Sequence, residues 1–453
     1  MWTRSPPRSP PRRPPDQRTR RAVRAARPEG RDRGQRRTAK QVYRVTEQDS
    51  VQEASLMANR TFVVGVGMTK FEKPGSREWE YPDMAKEAVG NALQDAGVAY
   101  DKIEMAYAGS MYGSMGQRAL YETGMTGIPV MTVQNACATG SSALFLARQA
   151  VRGGLADCAL ALGMEKMKKG SLGAGMEGSK VTIIDHHLTS MTAGREWEMD
   201  KAPMPQMFGN AGREHMEKYG STPDHYAWIG WKNHKHSVNN PYAQFQTEYS
   251  LDEVRNAPMI FDPLTKLQCS PTSDGAAAAV VVSERFVDEH DLWDQAVEIA
   301  GHHIATDTPE SFADNSSIQV VGFGVSRLAA RTAMEQAQVS IEDVDVIELH
   351  DCFSANELVT YEALGMAEVG EGHKLVDDQA TTYGGKWVVN PSGGLISKGH
   401  PLGATGLAQC AELTWQLRGK AGNRQVDGAQ VALQHNIGLG SACAVAVYKP
   451  ATA

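Results

Sequence analysis

The chain has 453 residues, of which 41% are hydrophobic, and its formal net charge at pH 7 is −7. This length suits two or three domains with a sizeable core, and no apolar run is long enough to predict a membrane span. The six cysteines form no C-x-x-C pair, which argues against a zinc ribbon or a disulfide framework and favours a reducing compartment. We therefore expect a cytoplasmic globular protein.

The N-terminal segment differs from the rest in composition. Residues 1–40 carry 14 Lys and Arg against 3 Asp and Glu, with many prolines and few large apolar side chains. Such a segment cannot bury enough apolar surface to fold, so residues 1–57 are predicted to be a disordered basic tail. Met57 is a candidate for the first residue of the translated protein. An organelle transit peptide and a nucleic-acid-binding arm are alternatives, but no nucleic-acid partner is expected.

Short apolar runs predict β-strands along the remaining chain, with helical patterns between many of them. These strands are Phe62 to Val66, Met105 to Ala108, Cys158 to Leu162, Ala276 to Val282, Val344 to Leu349 and Val431 to Leu433. Near-continuous apolar strands are typical of sheets that are covered on both faces. The pattern therefore predicts an α/β fold with sheets between helices.

Three matches in the same order indicate that the α/β unit is duplicated. The stretch 96–105 resembles 337–346, Ala138-Thr139-Gly140 recurs as Ala404-Thr405-Gly406, and Gly275 with its Ala/Val run recurs at 440–447. Repeats in one order are the signature of a tandem unit. We predict an N-terminal half at residues 58–295 and a C-terminal half at 296–453.

The first half contains a long insertion. More than a hundred residues separate the strand at 158–162 from Gly275, whereas the corresponding strands of the second half almost adjoin. The insertion, roughly 165–265, is polar, rich in methionine and carries three tryptophans. Insertions of this kind usually lie over strand ends, where sites form. Its methionines have two readings, simple packing or the lining of an acyl tunnel.

Cys137 is the strongest candidate for chemistry. It stands between the apolar run 129–133 and the helical pattern 143–152, in a turn of small residues. Amide donors at a helix N-terminus favour a thiolate. The alternative is a buried structural cysteine.

Three further segments carry reactive or polar side chains, and they are His350-Asp351-Cys352-Phe353, Asn390-Pro391-Ser392 leading to His400, and His435-Asn436 to Gly440. Strand ends at the junction of two α/β halves usually form a ligand site. Two thiols and two imidazoles supply what acyl transfer through a thioester requires. The histidine pairs 186/187, 234/236 and 302/303 lack neighbouring Cys or acidic ligands at metal spacing, so no metal site is predicted.

The chain from about Thr61 to Pro450 resembles a thiolase, specifically the sterol-carrier-protein-2 type. His350-Asp351-Cys352-Phe353 stands where other thiolases have Asn-Glu-Ala-Phe, and Asn436-Ile437-Gly438 stands where they have Cys-x-Gly. In this subgroup the second catalytic sulfur is thought to have moved to the His-Asp-Cys-Phe turn. Some relatives carry an appended sterol-carrier domain, for which no room is expected after residue 450.

The resemblance implies the thiolase fold and a role for each site residue. Cys137 would be the acylated nucleophile, His400 would accept its proton and Cys352 would be the second acid/base. His350 and Asn436 would help to form an oxyanion hole. The products of a 3-oxoacyl-CoA would be a shortened acyl-CoA and acetyl-CoA or propionyl-CoA. Coenzyme A would be a co-substrate, with no permanently bound cofactor.

Other expectations from the resemblance are less direct. Gly440 and Ser392 are candidates for substrate contact, and Lys166 and Lys169 for CoA phosphates, although a solvated basic face explains the lysines equally well. A homodimer or homotetramer is expected, with acyl-CoA substrates and CoA as its small-molecule partners. The alternatives are a 3-oxoacyl synthase, a thiolase-like aldol-lyase and a lipid-transfer partner in sterol side-chain breakdown.

Overall fold

The fold is built on one mixed ten-stranded β-sheet. The computed structural model describes residues 59–167, 182–440 and 442–452. Within these, the sheet consists of β1 (Thr61–Met68), β2 (Met105–Gly109), β3 (Val130–Val133), β4 (Cys158–Glu165), β7 (Gly275–Ser283), β8 (Val297–Ala305), β9 (Val346–Glu348), β10 (Val388–Val389), β11 (Ala432–Gly438) and β12 (Ala442–Pro450). A separate two-stranded sheet pairs β5 (Met259–Phe261) with β6 (Leu264–Thr265).

The strand order confirms the predicted duplication. Outward from the β1–β8 pair, it is β1-β7-β4-β2-β3 on one side and β8-β12-β11-β9-β10 on the other. Both halves have two antiparallel pairings followed by two parallel ones. The two halves join into one sheet, because Phe62 and Val63 of β1 pair with Glu298 and Val297 of β8.

Helices cover the sheet. They are α1 (Tyr81–Ala96), α2 (Gly116–Leu120), α3 (Thr139–Arg152), α4 (Asp185–Gly194), α5 (Pro203–Tyr219), α6 (Pro223–Ser237), α7 (Leu251–Arg255), α8 (Glu284–His290), α9 (Ser317–Val320), α10 (Phe323–Ala337), α11 (Ser354–Ala363), α12 (Gly372–Asp377) and α13 (Thr405–Leu417). In the described chain, no helix is both long and apolar enough to cross a membrane.

Strand β7 shows why the strands lack a polar face. Ala276, Ala278 and Val280 pack in one core cluster with α1, while Ala277 and Ala279 pack in another with α13. Because alternate residues of a strand point to opposite faces, both faces of β7 are buried. A continuous apolar sequence is the consequence.

The repeated Ala-Thr-Gly motifs bring two helix N-termini together. Both α3 and α13 begin at the threonine of the motif. A side chain at Gly140 would approach the carbonyl oxygen of Gly403 to 2.7 Å, and one at Gly406 would overlap Ser141. The glycines therefore allow α3, which follows Cys137 in one half, to contact the segment that carries His400 in the other.

The predicted insertion is present between β4 and β7, at residues 166–274. Its described part contains α4 to α7 and the β5–β6 pair, whereas β11 and β12 are separated by only three residues. Met191 and Met207 are fully buried in the core, and Met199 is 88% exposed. Packing therefore explains the first two methionines.

Candidate active site

Cys137 lies in a tight turn between β3 and α3. The turn requires a left-handed conformation at Ala136, whose φ is 47°. The Thr139 hydroxyl donates to the Ala136 carbonyl at 2.6 Å and accepts from the Asn135 amide at 2.9 Å. A left-handed non-glycine residue costs on the order of 1–3 kcal/mol and persists only where its surroundings enforce it. These bonds fix the backbone that presents the Cys137 thiol.

Three predicted site residues meet at one point. Sγ of Cys137, a ring nitrogen of His350 and a ring nitrogen of His400 all lie within 4.8 Å of one another. The two imidazole rings are nearly perpendicular, with centroids 5.1 Å apart. Two imidazoles of the second half thus lie around one sulfur of the first half.

The hydrogen bonds of His400 assign its proton to Nδ1. Oγ1 of Thr405 lies 2.7 Å from Nδ1 and 3.1 Å from the Pro401 carbonyl. The hydroxyl has a single proton, which the carbonyl accepts, so Oγ1 accepts from Nδ1–H. Nε2 has no hydrogen-bond partner among the described residues, and its lone pair is available as a base.

The hydrogen bonds of His350 assign its proton to the opposite nitrogen. The Asn436 amide oxygen accepts from the Ser141 hydroxyl at 2.9 Å, and this hydroxyl accepts from Gln434 at 2.8 Å. Nδ2 of Asn436 therefore faces Nδ1 of His350, at 2.9 Å. Because Nδ1 accepts this bond, Nε2 carries the proton and is a donor.

Burial keeps the thiol and the imidazoles uncharged at rest. It raises the pKa of Cys137 to about 12, with a further contribution from the Glu165 carboxylate. Burial lowers the pKa of His400 to about 3, and burial with His400 and His435 lowers the pKa of His350 well below its usual range. At this turn, desolvation outweighs the amide donors that the sequence pattern indicated as favouring a thiolate.

Cys352 lies beside this cluster on the turn after β9. Its carbonyl accepts from the Ser270 amide at 2.9 Å, which ties the turn to the segment before β7. Burial raises the pKa of Cys352 well above its usual range, and the neighbouring Cys137 adds to the rise. Cys352 is therefore a protonated thiol near Cys137.

Glu165, which the sequence did not single out, joins the two halves around the site. Its carboxylate accepts from the Ser110 hydroxyl and the amides of Met111, Tyr112 and Gly403, at 2.9 to 3.1 Å. Gly403 belongs to the segment that carries His400. Glu165, Thr405 and Ser141 gave no sequence signal beyond their place near the predicted strand ends and the repeated motif.

The remaining predicted residues have other contacts. Ser392 is fully buried, and its hydroxyl donates to Glu348 at 2.8 Å. Gly440 has a φ of 74° and no room for a side chain beside the Ile183 carbonyl. Lys166 forms an ion pair with Glu80 at 2.8 Å. Lys169 lies outside the described residues.

The spacing of the Cys137 cluster would also suit a metal ion, and it is the one such group among the described residues. The hydrogen bonds do not fit that use. Nε2 of His350 carries a proton because Nδ1 accepts from Asn436, whereas a metal ligand needs a free lone pair. The donor set suits hydrogen bonding to an oxyanion.

Two family models match the chain, "Thiolase, N-terminal domain" over residues 61–285 and "Thiolase C-terminal domain-like" over residues 310–449. The chain is 60% identical to sterol carrier protein 2 of Bos taurus, over 88% of this chain and 74% of that protein. It is 37% identical to an acetyl-CoA acetyltransferase of Methanothermobacter thermautotrophicus, over 85% and 98%. A solved structure of an Ltp2-ChsH2(DUF35) aldolase superposes with a TM-score of 0.71 at 21% identity, covering 86% of this chain and 98% of that one.

Proposed function

This chain belongs to the thiolase family, and we propose that it transfers acyl groups between a 3-oxoacyl-CoA and coenzyme A. In the degradative direction the products are a shortened acyl-CoA and acetyl-CoA or propionyl-CoA. The reverse Claisen condensation uses the same residues. CoA is a co-substrate in this reaction, and no resident cofactor is required.

The observation that carries the proposal is the cluster of Sγ of Cys137 with ring nitrogens of His350 and His400 within 4.8 Å. In the first step the sulfur attacks the 3-oxo carbon, and Nε2 of His400 accepts the thiol proton. The charge that develops on the carbonyl oxygen requires a donor, a role that suits Nε2–H of His350. Asn436 acts through His350, since its amide nitrogen is directed at that ring.

The second step breaks the bond between C2 and C3. The acyl group stays on Cys137, and the electron pair moves to C2 of the leaving acetyl-CoA or propionyl-CoA as an enolate. The raised pKa of Cys352 keeps it a thiol, so it has the proton that C2 requires. Cys352 is then a thiolate, and it accepts the proton of the CoA thiol as the CoA sulfur attacks the thioester. The shortened acyl-CoA leaves, and the proton held by His400 returns to Cys137 to restore the thiol.

An apolar cavity beside the catalytic turn supports a long acyl substituent. Its volume is about 640 Å³, and its walls include Phe353, which follows Cys352, with Cys269, Ile396, Met204 and Ile260. The size is within the usual range for small-molecule sites. We propose that the acyl chain lies here, which gives Met204 the lining role that the sequence left open.

The test is thiolysis of straight, 2-methyl-branched and sterol-derived 3-oxoacyl-CoAs, with ping-pong kinetics expected. Mass spectrometry should detect an acyl adduct on Cys137 of the wild type, none in Cys137→Ala and an unchanged adduct in Cys443→Ser. Met204→Trp should slow turnover of the longest or bulkiest substrates more than that of 3-oxobutanoyl-CoA. Thiolysis that continues in Cys137→Ala would contradict the proposal.

The alternatives predict different products. An aldol-lyase releases a ketone or aldehyde and does not consume free CoA. A 3-oxoacyl synthase requires a malonyl thioester. A lipid-transfer partner moves lipid between vesicles equally well with Cys137→Ala. The second catalytic thiol, Cys352, favours the thiolase reaction over all three.

We also propose that the protein is a cytoplasmic homo-oligomer. β3 is an edge strand of the sheet, and large apolar side chains on and before it are exposed, namely Met115, Tyr121, Met125 and Met131. Such an edge is suited to a second copy of the chain. Met131→Lys should shift the mass in light scattering toward the monomer, and an unchanged mass would contradict this assignment.

A further inference from the structure

Asp351 stands between two catalytic residues, His350 and Cys352, and is fully buried. Its carboxylate accepts from the amide of Leu395 at 2.7 Å and from that of Ile396 at 3.2 Å. These amides belong to a separate segment of the chain. One carboxylate therefore connects the His350–Cys352 turn to a second segment.

That second segment leads directly to His400. Leu395 and Ile396 lie in a single π-helical turn, Gly394–Lys398, which is followed by Gly399 and His400. At Gly394 a side chain would overlap the Asp351 carboxylate, and its φ is 58°. The close approach of the two segments thus depends on glycine at this position.

The insertion supplies the third donor. Nδ2 of Asn233, on α6, donates to Asp351 at 2.8 Å and to Glu357 at 2.7 Å. Lys232 forms a fully buried ion pair with Glu357. Buried carboxylates require donors or a cation to remain stable, and α6 provides both beside the catalytic turn.

We propose that Asp351 is a positioning residue that keeps the side chains of His350, Cys352 and His400 at fixed positions relative to one another. The inference rests on the proposed thiolase reaction for its kinetic consequence. Asp351 bonds to amides and not to the reacting groups, so it acts through the segments that it joins. A displacement of about 1 Å at a catalytic group costs on the order of a hundredfold in rate.

The test compares Asp351→Asn with Glu412→Gln. Asparagine keeps the shape of aspartate but directs an NH₂ group at N–H donors. Glu412, on the later part of α13, is another buried carboxylate and accepts from Arg424, so its variant controls for the loss of any buried carboxylate.

We expect kcat of Asp351→Asn to fall about a hundredfold, with KM for the acyl-CoA changed less than about threefold because most of the cavity walls lie on segments that Asp351 does not contact. Rapid-quench measurements should show both Cys137 acylation and carbon–carbon cleavage slowed, since His400 serves the first step and Cys352 the second. Glu412→Gln should lose stability but keep kcat. Asn233→Ala, which removes one donor, should slow both steps by a smaller factor.

A folded Asp351→Asn with both steps at the wild-type rate, or with only KM changed, would overturn the inference. The crystal structure of this variant provides a readout without substrate, since the His350 and His400 rings should lie farther from Sγ of Cys137 than in the wild type. Rings in unchanged places would count against Asp351. If the wild type cleaves none of the 3-oxoacyl-CoAs, the proposed function fails, while displaced rings still support the positioning role.

Discussion

The hydroxyl of Thr405 lies 2.7 Å from Nδ1 of His400 and assigns the proton of that ring to Nδ1, so the lone pair is on Nε2. Both residues come from the second half of the chain, five positions apart. His400 lies in the loop before α13, and Thr405 is the first residue of that helix. Thr139 has a corresponding task in the first half, where its hydroxyl closes the turn at Ala136. The duplicated Ala-Thr-Gly motif thus fixes the turn before Cys137 in one half and the His400 ring in the other.

Thr405→Val should reduce the rate of Cys137 acylation about 10- to 100-fold, because the ring loses the acceptor that keeps its proton on Nδ1 and Nε2 free as a base. Stopped-flow measurement of acyl-enzyme formation checks this. Thr414→Val is the matched control, since Thr414 is also buried in α13 and has no part in the site. Equal rates in the two variants would show that the hydroxyl does not set the tautomer.

Ser141→Ala should slow the attack of Cys137 on the 3-oxo carbon, and the carbon–carbon cleavage that follows it, about tenfold. It should also slow acyl transfer from Cys137 to CoA, because the same carbonyl oxygen becomes charged in both steps. Without Ser141 the Asn436 amide can reverse, which turns its oxygen toward Nδ1 of His350 and removes the Nε2–H donor. Losing such a donor outright costs about a hundred- to a thousandfold. Single-turnover kinetics separate the steps.

Ser283→Ala is the control for Ser141→Ala, because it removes a helix cap at α8 and should cost only about 1 kcal/mol of stability. A Ser141→Ala enzyme with unchanged cleavage would mean that Asn436 keeps its orientation through Gln434 or other contacts.

The duplicated α/β architecture could be predicted because it depends on local patterns. Buried strands give continuous apolar runs, and the repeated helix–turn–strand pattern at 96–105 and 337–346 appears as α1 followed by β2 and as α10 followed by β9. The joining of the halves into one sheet could not be predicted, since two residue pairs between β1 and β8 leave no pattern in the sequence.

The site could be predicted as a set of reactive residues but not as a set of protonation states. Cys137, His350 and His400 were recognisable from their turns and from the family motifs. Their charges depend on burial, which is the combined effect of many neighbouring residues. They also depend on contacts with Thr405, Ser141 and Glu165, which only the folded structure shows. For this reason the sequence pattern, which favoured a thiolate at Cys137, could not show the effect of burial on that thiol.

Cys137 should be a thiol, not a thiolate, throughout the neutral range. A raised folded pKa means that the proton is held at any pH well below about 12, so the wild type and Cys137→Ala should have equal thiolate absorbance at 240 nm from pH 6 to 9. A resting Cys137–His400 ion pair would instead give the wild type about one additional thiolate at pH 7. The two outcomes distinguish proton transfer during the reaction from proton transfer before it.

His435 should make the fold sensitive to acid, and His435→Gln should remove its contribution. Burial lowers the folded pKa of His435 to about 3, whereas an unfolded histidine has a pKa of about 6.5. Below pH 6.5 the unfolded chain therefore binds a proton that the folded chain excludes, and stability falls by about 1.4 kcal/mol per pH unit until the pH nears the folded pKa.

At pH 7 we expect His435→Gln to be less stable than the wild type by about 1–2 kcal/mol, because the ring bonds to Ser326 at 2.9 Å in the folded state. Between pH 6 and pH 4 this difference should shrink and then reverse, since the variant carries no excluded proton at this position. Urea titrations at pH 7, 6, 5 and 4 measure the difference, in which the contributions of the other buried ionisable groups cancel. His290→Gln, at an exposed histidine, controls for the substitution itself. A difference that stays constant or widens as the pH falls would show that His435 is protonated in the folded protein.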